Sequence, residues 1–167
     1  IFSTYCCHPS MGNDNLSGMI LWLLLLRYLK GIKTKFSYRF IITPETIGAI
    51  SYLSENKNKL KNVIGGYELT CVAGPNEFVY NSSFLDEHVI DKIAIETLKE
   101  LNVKFKKKSF KPIGSDERQY SSPGFRIPIG LLCKDQFHDY EFYHTSSDNL
   151  DFISSKSLYE SYIVYTK

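Results

Sequence analysis

The sequence predicts an α/β domain, a three-layer α/β/α sandwich with a largely parallel central sheet, and three observations carry that reading. Short β-rich runs alternate with longer amphipathic segments, the order expected of a sheet covered by helices on both faces. The 167 residues suffice for one domain with a real core. Polar, acid-bearing turns follow two of the strand-like runs, and open α/β sheets gather ligands beyond the carboxyl ends of their strands.

Taken in order, residues 1–7 read as a strand, and 16–29 as a helix opened by the turn Asn13-Asp14-Asn15. Residues 36–43 alternate and are β-rich, with Pro44 ending the run, and 46–60 read as a second helix with a charged, Asn-rich end. A strand over 63–73 is followed by the turn Gly74-Pro75-Asn76-Glu77 and a short strand at 78–80. Asp86 is placed to N-cap a helix whose apolar residues Val89, Ile90, Ile93, Ala94, Ile95 and Leu98 mostly follow helical spacing. A strand at 127–133 and a helix over 155–165 complete the pass. No repeat, low-complexity tract or linker divides the chain, so a single domain over 1–167 is expected. Ile1 already lies inside a strand, and the expectation is a piece of a larger chain, truncated on its N-terminal side.

Bulk properties narrow the partners. A net charge of +2 is too small to argue for nucleic acid or an acidic membrane. The lysine run from Lys104 through Lys106, Lys107 and Lys108 reads as a solvated strand end rather than a phosphate patch. The apolar stretch 19–26 is about half the length of a membrane span and is closed by Arg27, so a helix buried against the sheet is expected. Cys6, Cys7, Cys71 and Cys133 lie in apolar runs without Cys-x-x-Cys spacing. They are expected to be buried free thiols of a cytoplasmic protein. No signal peptide is evident.

The chemistry-bearing residues sit at the expected strand ends. His8 follows the first strand and precedes Pro9, which holds its backbone extended. Asp14 stands at the mouth of the following helix, where a carboxylate is favourable on helix-end electrostatics alone. Both roles, helix acid and metal ligand, are compatible. His144 lies in a polar loop with Asp148 four residues on. Imidazole with carboxylate suits zinc. Asp148 and Asp151 are candidates to orient or cap the last helix, and Asp148 also to support a metal ligand. Glu45, after Pro44 at the end of the second strand, can act beside a metal as general base or serve as a helix acid. In the polar run from Ser115 to Tyr120, Arg118 can grip a carboxylate bidentately. Asp116 and Glu117 can contact a metal or an amine, and Tyr120 can offer its hydroxyl to an oxyanion. His88 and His138 lack such partners and are assigned to the surface.

Five segments occur in order: Ser3-Thr4-Tyr5-Cys6-Cys7-His8-Pro9-Ser10, Asn13-Asp14-Asn15-Leu16-Ser17-Gly18, Pro44-Glu45-Thr46-Ile47-Gly48, Gly114-Ser115-Asp116-Glu117-Arg118-Gln119-Tyr120 and Tyr143-His144-Thr145-Ser146-Ser147-Asp148. Together they resemble the zinc aminopeptidase superfamily, which includes the leucyl-aminopeptidase-like exopeptidases and glutaminyl cyclases. The closer likeness is to the aminopeptidase-like domain of bacterial proteins linked to polysaccharide biosynthesis. The resemblance implies a mostly parallel, mixed central sheet of the zinc-exopeptidase kind. It also implies His8 and His144 as metal ligands, Asp14 as the carboxylate that bridges two zincs, and Glu45 as the base. The pattern breaks at two ligand positions. Thr46 stands where the family has a zinc-binding Glu, and Glu68-Leu69-Thr70-Cys71 replaces a strand end that carries an Asp ligand. One zinc held by His8, Asp14 and His144 is therefore expected rather than two. Glu117, at the position of a family His, is a candidate replacement contact.

The reading that results is a zinc-dependent amide hydrolase, aminopeptidase-like, with Glu45 as general base and Asp116, Glu117, Arg118 and Tyr120 shaping the substrate pocket. Its substrate is a small peptide or amide, and the rest of a larger chain, or a second copy, is its expected protein partner. Two alternatives stand beside it: an amidase acting on an N-acylated sugar precursor, and a non-catalytic, metal-poor binding domain.

Overall fold

The computed structural model describes residues 1–167. Six strands form one mixed sheet in the order β2-β1-β3-β6-β4-β5: β1 (Phe2–Tyr5), β2 (Phe40–Thr43), β3 (Gly66–Glu68), β4 (Phe78–Asn81), β5 (Phe105–Lys108) and β6 (Ile129–Cys133). β1, β2, β3 and β6 run parallel, β4 lies antiparallel to β6, and β5 is parallel to β4. The fold class is the predicted one, a helix-covered mixed sheet.

Register and alternation decide what each face buries. Phe2, Tyr67, Leu132, Phe78 and Tyr80 face one side. There they meet α1 (Gly18–Lys30), α3 (Val89–Glu100) and α5 (Ser155–Thr166). Leu21 and Leu25, one helical turn apart, carry α1 onto Phe2, Leu69 and Val72. Ala94 and Leu98 do the same for α3 against Phe78, Tyr80 and Leu132. Ile41 and Ile129 face the opposite side, where Ala49 and Leu53 of α2 (Ile47–Asn56) and Tyr120 of the short α4 (Glu117–Tyr120) pack on them. Leu131 and Cys133, also on that face, are covered by Tyr140 and the loop beyond it.

Several boundaries differ from expectation for definite reasons. β2 pairs Phe40 with Phe2, so residues 36–39 lie beyond the start of their neighbour and form no ladder. β3 is three residues long, because the chain bends after Glu68 and reaches Cys71 in a left-handed conformation (φ 53°). α3 starts at Val89, not near Asp86, since Asp91 turns back to accept the His88 N–H (2.9 Å). Ser154, rather than Asp148 or Asp151, caps α5 by accepting the Ser157 N–H at 3.1 Å. Cys71 and Cys133 are buried free thiols as expected, but Cys6 and Cys7 are exposed, because β1 ends at Tyr5. The lysine run forms the edge strand β5. Its charges pair with Glu77, Asp86 and Asp139 at 3.6, 3.1 and 2.6 Å, a charged edge that discourages further strand pairing. No helix is long and apolar enough to cross a membrane.

Candidate metal centre

The parallel strands β1, β2 and β3 deliver their carboxyl ends to one rim of the sheet, and the predicted ligands gather there. His8 follows β1, and Asp14 sits in the distorted helical segment Gly12–Ser17 that precedes α1. His144 comes from the loop between β6 and α5. One donor atom from each of His8, Asp14 and His144 lies within 4.8 Å of the other two. His144 Nε2 is 3.2 Å from Asp14 Oδ2, and His8 Nδ1 is 3.8 Å from Asp14 Oδ1.

A layer of buried polar groups holds this arrangement. Asp148 accepts the backbone N–H of Asn13 at 2.6 Å through one oxygen. Its other oxygen accepts the Asp14 N–H at 3.0 Å and the Tyr140 hydroxyl at 2.9 Å. The Asn15 amide donates to Thr4 Oγ1, Tyr5 O and Leu69 O. Asn13 Oδ1 accepts the Ala73 N–H, and Ser17 Oγ accepts that of Val72. The polar residues of Asn13-Asp14-Asn15-Leu16-Ser17 thus satisfy the broken backbone around the strand ends, as buried polar groups must be. Gly18 completes the fit, since a Cβ there would stand 2.2 Å from Leu69 O. Left-handed backbone at Thr46 (φ 62°), Cys71 (φ 53°) and His144 (φ 56°) surrounds the same rim, and strain of this kind concentrates at functional sites.

Asp14 is almost fully buried. Burial pushes its pKa up, while the Tyr5 hydrogen bond, His8 and His144 pull it down. Tyr5 donates to Asp14 Oδ1 at 2.5 Å. Asp14 Oδ2 is buried and accepts no hydrogen bond; it faces His144 Nε2, while Oδ1 faces His8. The donor types, their spacing and that orphaned oxygen fit a zinc ion. His144 stacks on Tyr143, with ring centroids 3.9 Å apart.

Glu45 stands on the rim, with Oε2 3.9 Å from His8 Nε2 and Oε1 accepting the Ser115 hydroxyl at 2.6 Å. The two departures from the family pattern are occupied otherwise. The Thr46 N–H donates to Asp116 Oδ1 at 2.7 Å, and its hydroxyl accepts from Arg118 at 3.1 Å. Thr70 Oγ1 lies 2.6 Å from the Tyr5 hydroxyl.

The expected pocket residues divide. Arg118 is half-buried and reaches the rim through Thr46. Asp116 and Glu117 are buried, and burial pushes their pKa values up to about 6 and about 7. Tyr120 is a correction: it is fully buried in the core against Ile41 and Ile129, its hydroxyl 3.1 Å from Ser3 Oγ, and has no open face for substrate. The sequence reading missed Tyr5, which sits inside the first motif, and Ser115. It also missed Glu68, whose fully buried carboxylate has neither oxygen hydrogen-bonded. Burial first, and then Asp116 and Glu117, hold the Glu68 pKa far above the usual carboxylate range. His138 is on the surface, and His88 is half-buried at the start of α3.

A family model described as a domain of unknown function, DUF4910, matches residues 1–167. A Clostridium acetobutylicum relative, provisionally named a polysaccharide biosynthesis protein with aminopeptidase-like domain, is 43% identical over 165 residues, 99% of this chain and 38% of that protein. A crystal structure from the same organism, provisionally named a peptidase, superposes with a TM-score of 0.96 at 43% identity. It covers 98% of this chain and 39% of that one. BSAP, a zinc aminopeptidase from Bacillus subtilis, superposes with a TM-score of 0.72 at 18% identity, over 99% of this chain and 44% of its own. At that identity the likeness speaks for a shared fold. The chain spans less than half the length of each of these proteins.

Proposed function

The chain belongs to the DUF4910 family, and we propose that it is a zinc-dependent amide hydrolase of aminopeptidase-like type. The observation that carries the proposal is the convergence of His8, Asp14 and His144 within 4.8 Å, with Glu45 beside them. His8, Asp14 and His144 would hold one zinc ion and leave a coordination position open. Zinc held there would supply Lewis acidity for polarising an amide carbonyl and for making water a better nucleophile at neutral pH.

The chain's own groups do the rest. Ser115 fixes one Glu45 oxygen by donating to it at 2.6 Å, leaving the other to take a proton from water and return it to the leaving nitrogen. Tyr5 and Asp148 hold Asp14 in place through its side chain and its backbone N–H. Arg118, which donates to Thr46 at the rim, would bind an anionic substrate group. We expect Glu45→Gln to keep its zinc while turnover falls by about a hundredfold or more. Steady-state rates at matched metal content test this, and near-parent activity would end the role of Glu45.

A second reading has an observation of its own. An aminopeptidase needs an acidic grip on a free amine, and Asp116 and Glu117, expected to supply it, are buried and turned to backbone N–H groups at Thr46 and Ser115. An N-acylated amino sugar needs no such grip, and the Clostridium relative carries polysaccharide biosynthesis in its name. Comparing cleavage of an aminoacyl amide with deacylation of an N-acetylated amino sugar separates the two. Exclusive turnover of the first rules out the sugar reading, and the converse result establishes it.

A further inference from the structure

The site contains a donor that neither reading uses. Cys7 follows β1, is exposed, and places its Sγ 3.9 Å from His8 Nδ1. The same sulfur accepts the backbone N–H of Glu45 at 3.3 Å, which fixes it beside the Glu45 carboxylate. One atom from each of Cys7, His8 and Glu45 lies within 4.8 Å of the other two, inside the same bound as the first ligand set.

We propose that Cys7, His8 and Glu45 form an inhibitory site for a thiophilic divalent cation, alternative to the His8–Asp14–His144 set. A thiolate is the softest donor on this rim and selects softer ions than imidazole and carboxylate do. On coordination the Cys7 proton passes to solvent and a sulfur–metal bond forms, with no change of oxidation state. The two sets share one imidazole, so an ion held by Cys7 competes for His8. It also occupies the Glu45 carboxylate, which removes the proton carrier. Cys71 and Cys133 are buried and cannot compete for the ion. Only the inhibitory consequence rests on the hydrolase reading; the binding itself does not.

The test is a cadmium titration of the chain, followed by the ultraviolet sulfur-to-cadmium charge-transfer band, a readout blind to activity. We expect the band in the parent, in Cys6→Ser and in His144→Ala. The last variant breaks the first ligand set at a half-exposed residue and spares the second. The band should vanish in Cys7→Ser, and Glu45→Gln should weaken binding by at least about tenfold. A band that persists in Cys7→Ser, follows Cys6→Ser, disappears with His144→Ala or never forms in the parent overturns the proposal. Failure of the hydrolase reading would show elsewhere, as no turnover of either amide substrate by the zinc-loaded parent.

Discussion

At Asp14, burial and charge pull in opposite directions. Desolvation favours the protonated carboxyl, whereas the Tyr5 hydroxyl and two facing imidazoles favour the carboxylate. A divalent cation between Asp14 and the imidazoles would resolve the conflict, because it would stabilise the charge that burial penalises. Tyr5 would then act on the metal through Asp14. Tyr5→Phe should fold and weaken zinc binding by roughly tenfold to a hundredfold; an unchanged affinity in a chelator competition contradicts that role. Asp148→Ala removes the partner of two backbone N–H groups and of Tyr140. Its expected cost is on the order of 3 kcal/mol, read from urea midpoints, and a loss below about 0.5 kcal/mol, the scale of an ordinary surface change, contradicts the account. At this scale the sequence was legible where chemistry is rare: His8 and Glu45 follow strands, and Asp14 and His144 stand in polar segments with acids or turns beside them. Tyr5, Ser115 and Tyr120 were not legible, because hydroxyls serve cores and sites alike, and only side-chain direction separates them.

The segment Gly12–Ser17 shows what an element adds. Its Asn13, Asn15 and Ser17 side chains bond to β1 and to the chain following β3, and Ser17 Oγ also donates back to Asn13 O, so the segment holds Asp14 over the rim instead of extending α1. Gly18 must let α1 pass close to Leu69, and a Cβ there would stand 2.2 Å from both Leu69 O and Asn15 Oδ1. The Asn15 side chain is held by three acceptors and cannot yield cheaply. Gly→Ala inside an exposed helix normally stabilises by about 1 kcal/mol. Here we expect Gly18→Ala to destabilise by about 1–3 kcal/mol through overpacking, and chemical denaturation decides the sign. Gly31, with its nearest contact at 3.4 Å, is the matched control and should be near neutral. The helices were legible from apolar spacing, as Leu21 with Leu25 and Ala49 with Leu53 illustrate. The strands were overextended in the reading, because β-rich composition continues past Glu68 while ladder partners do not. The antiparallel β4 carried no local signal of its direction.

Across the whole molecule, the buried acids beneath the rim set a pH dependence. Asp116 and Glu117 rise from ordinary values of 3.8 and 4.5 to about 6 and about 7 on burial. A carboxyl whose pKa is raised in the folded state stabilises below its unfolded value, and that stability is lost as pH rises through the folded value. Stability of the metal-free chain should therefore fall between about pH 4 and about pH 7, by on the order of 3 kcal/mol for each group. Urea unfolding at either end of that window measures it. Glu117→Gln should flatten the slope, and stability rising with pH across the window contradicts the assignment. Metal content tests the central claim most directly, by elemental analysis of the purified chain beside His8→Ala and His144→Ala. The account predicts about one zinc per chain in the parent, lost from both variants. A parent that takes up no zinc when it is supplied, or variants that retain it, would contradict the centre built from His8, Asp14 and His144.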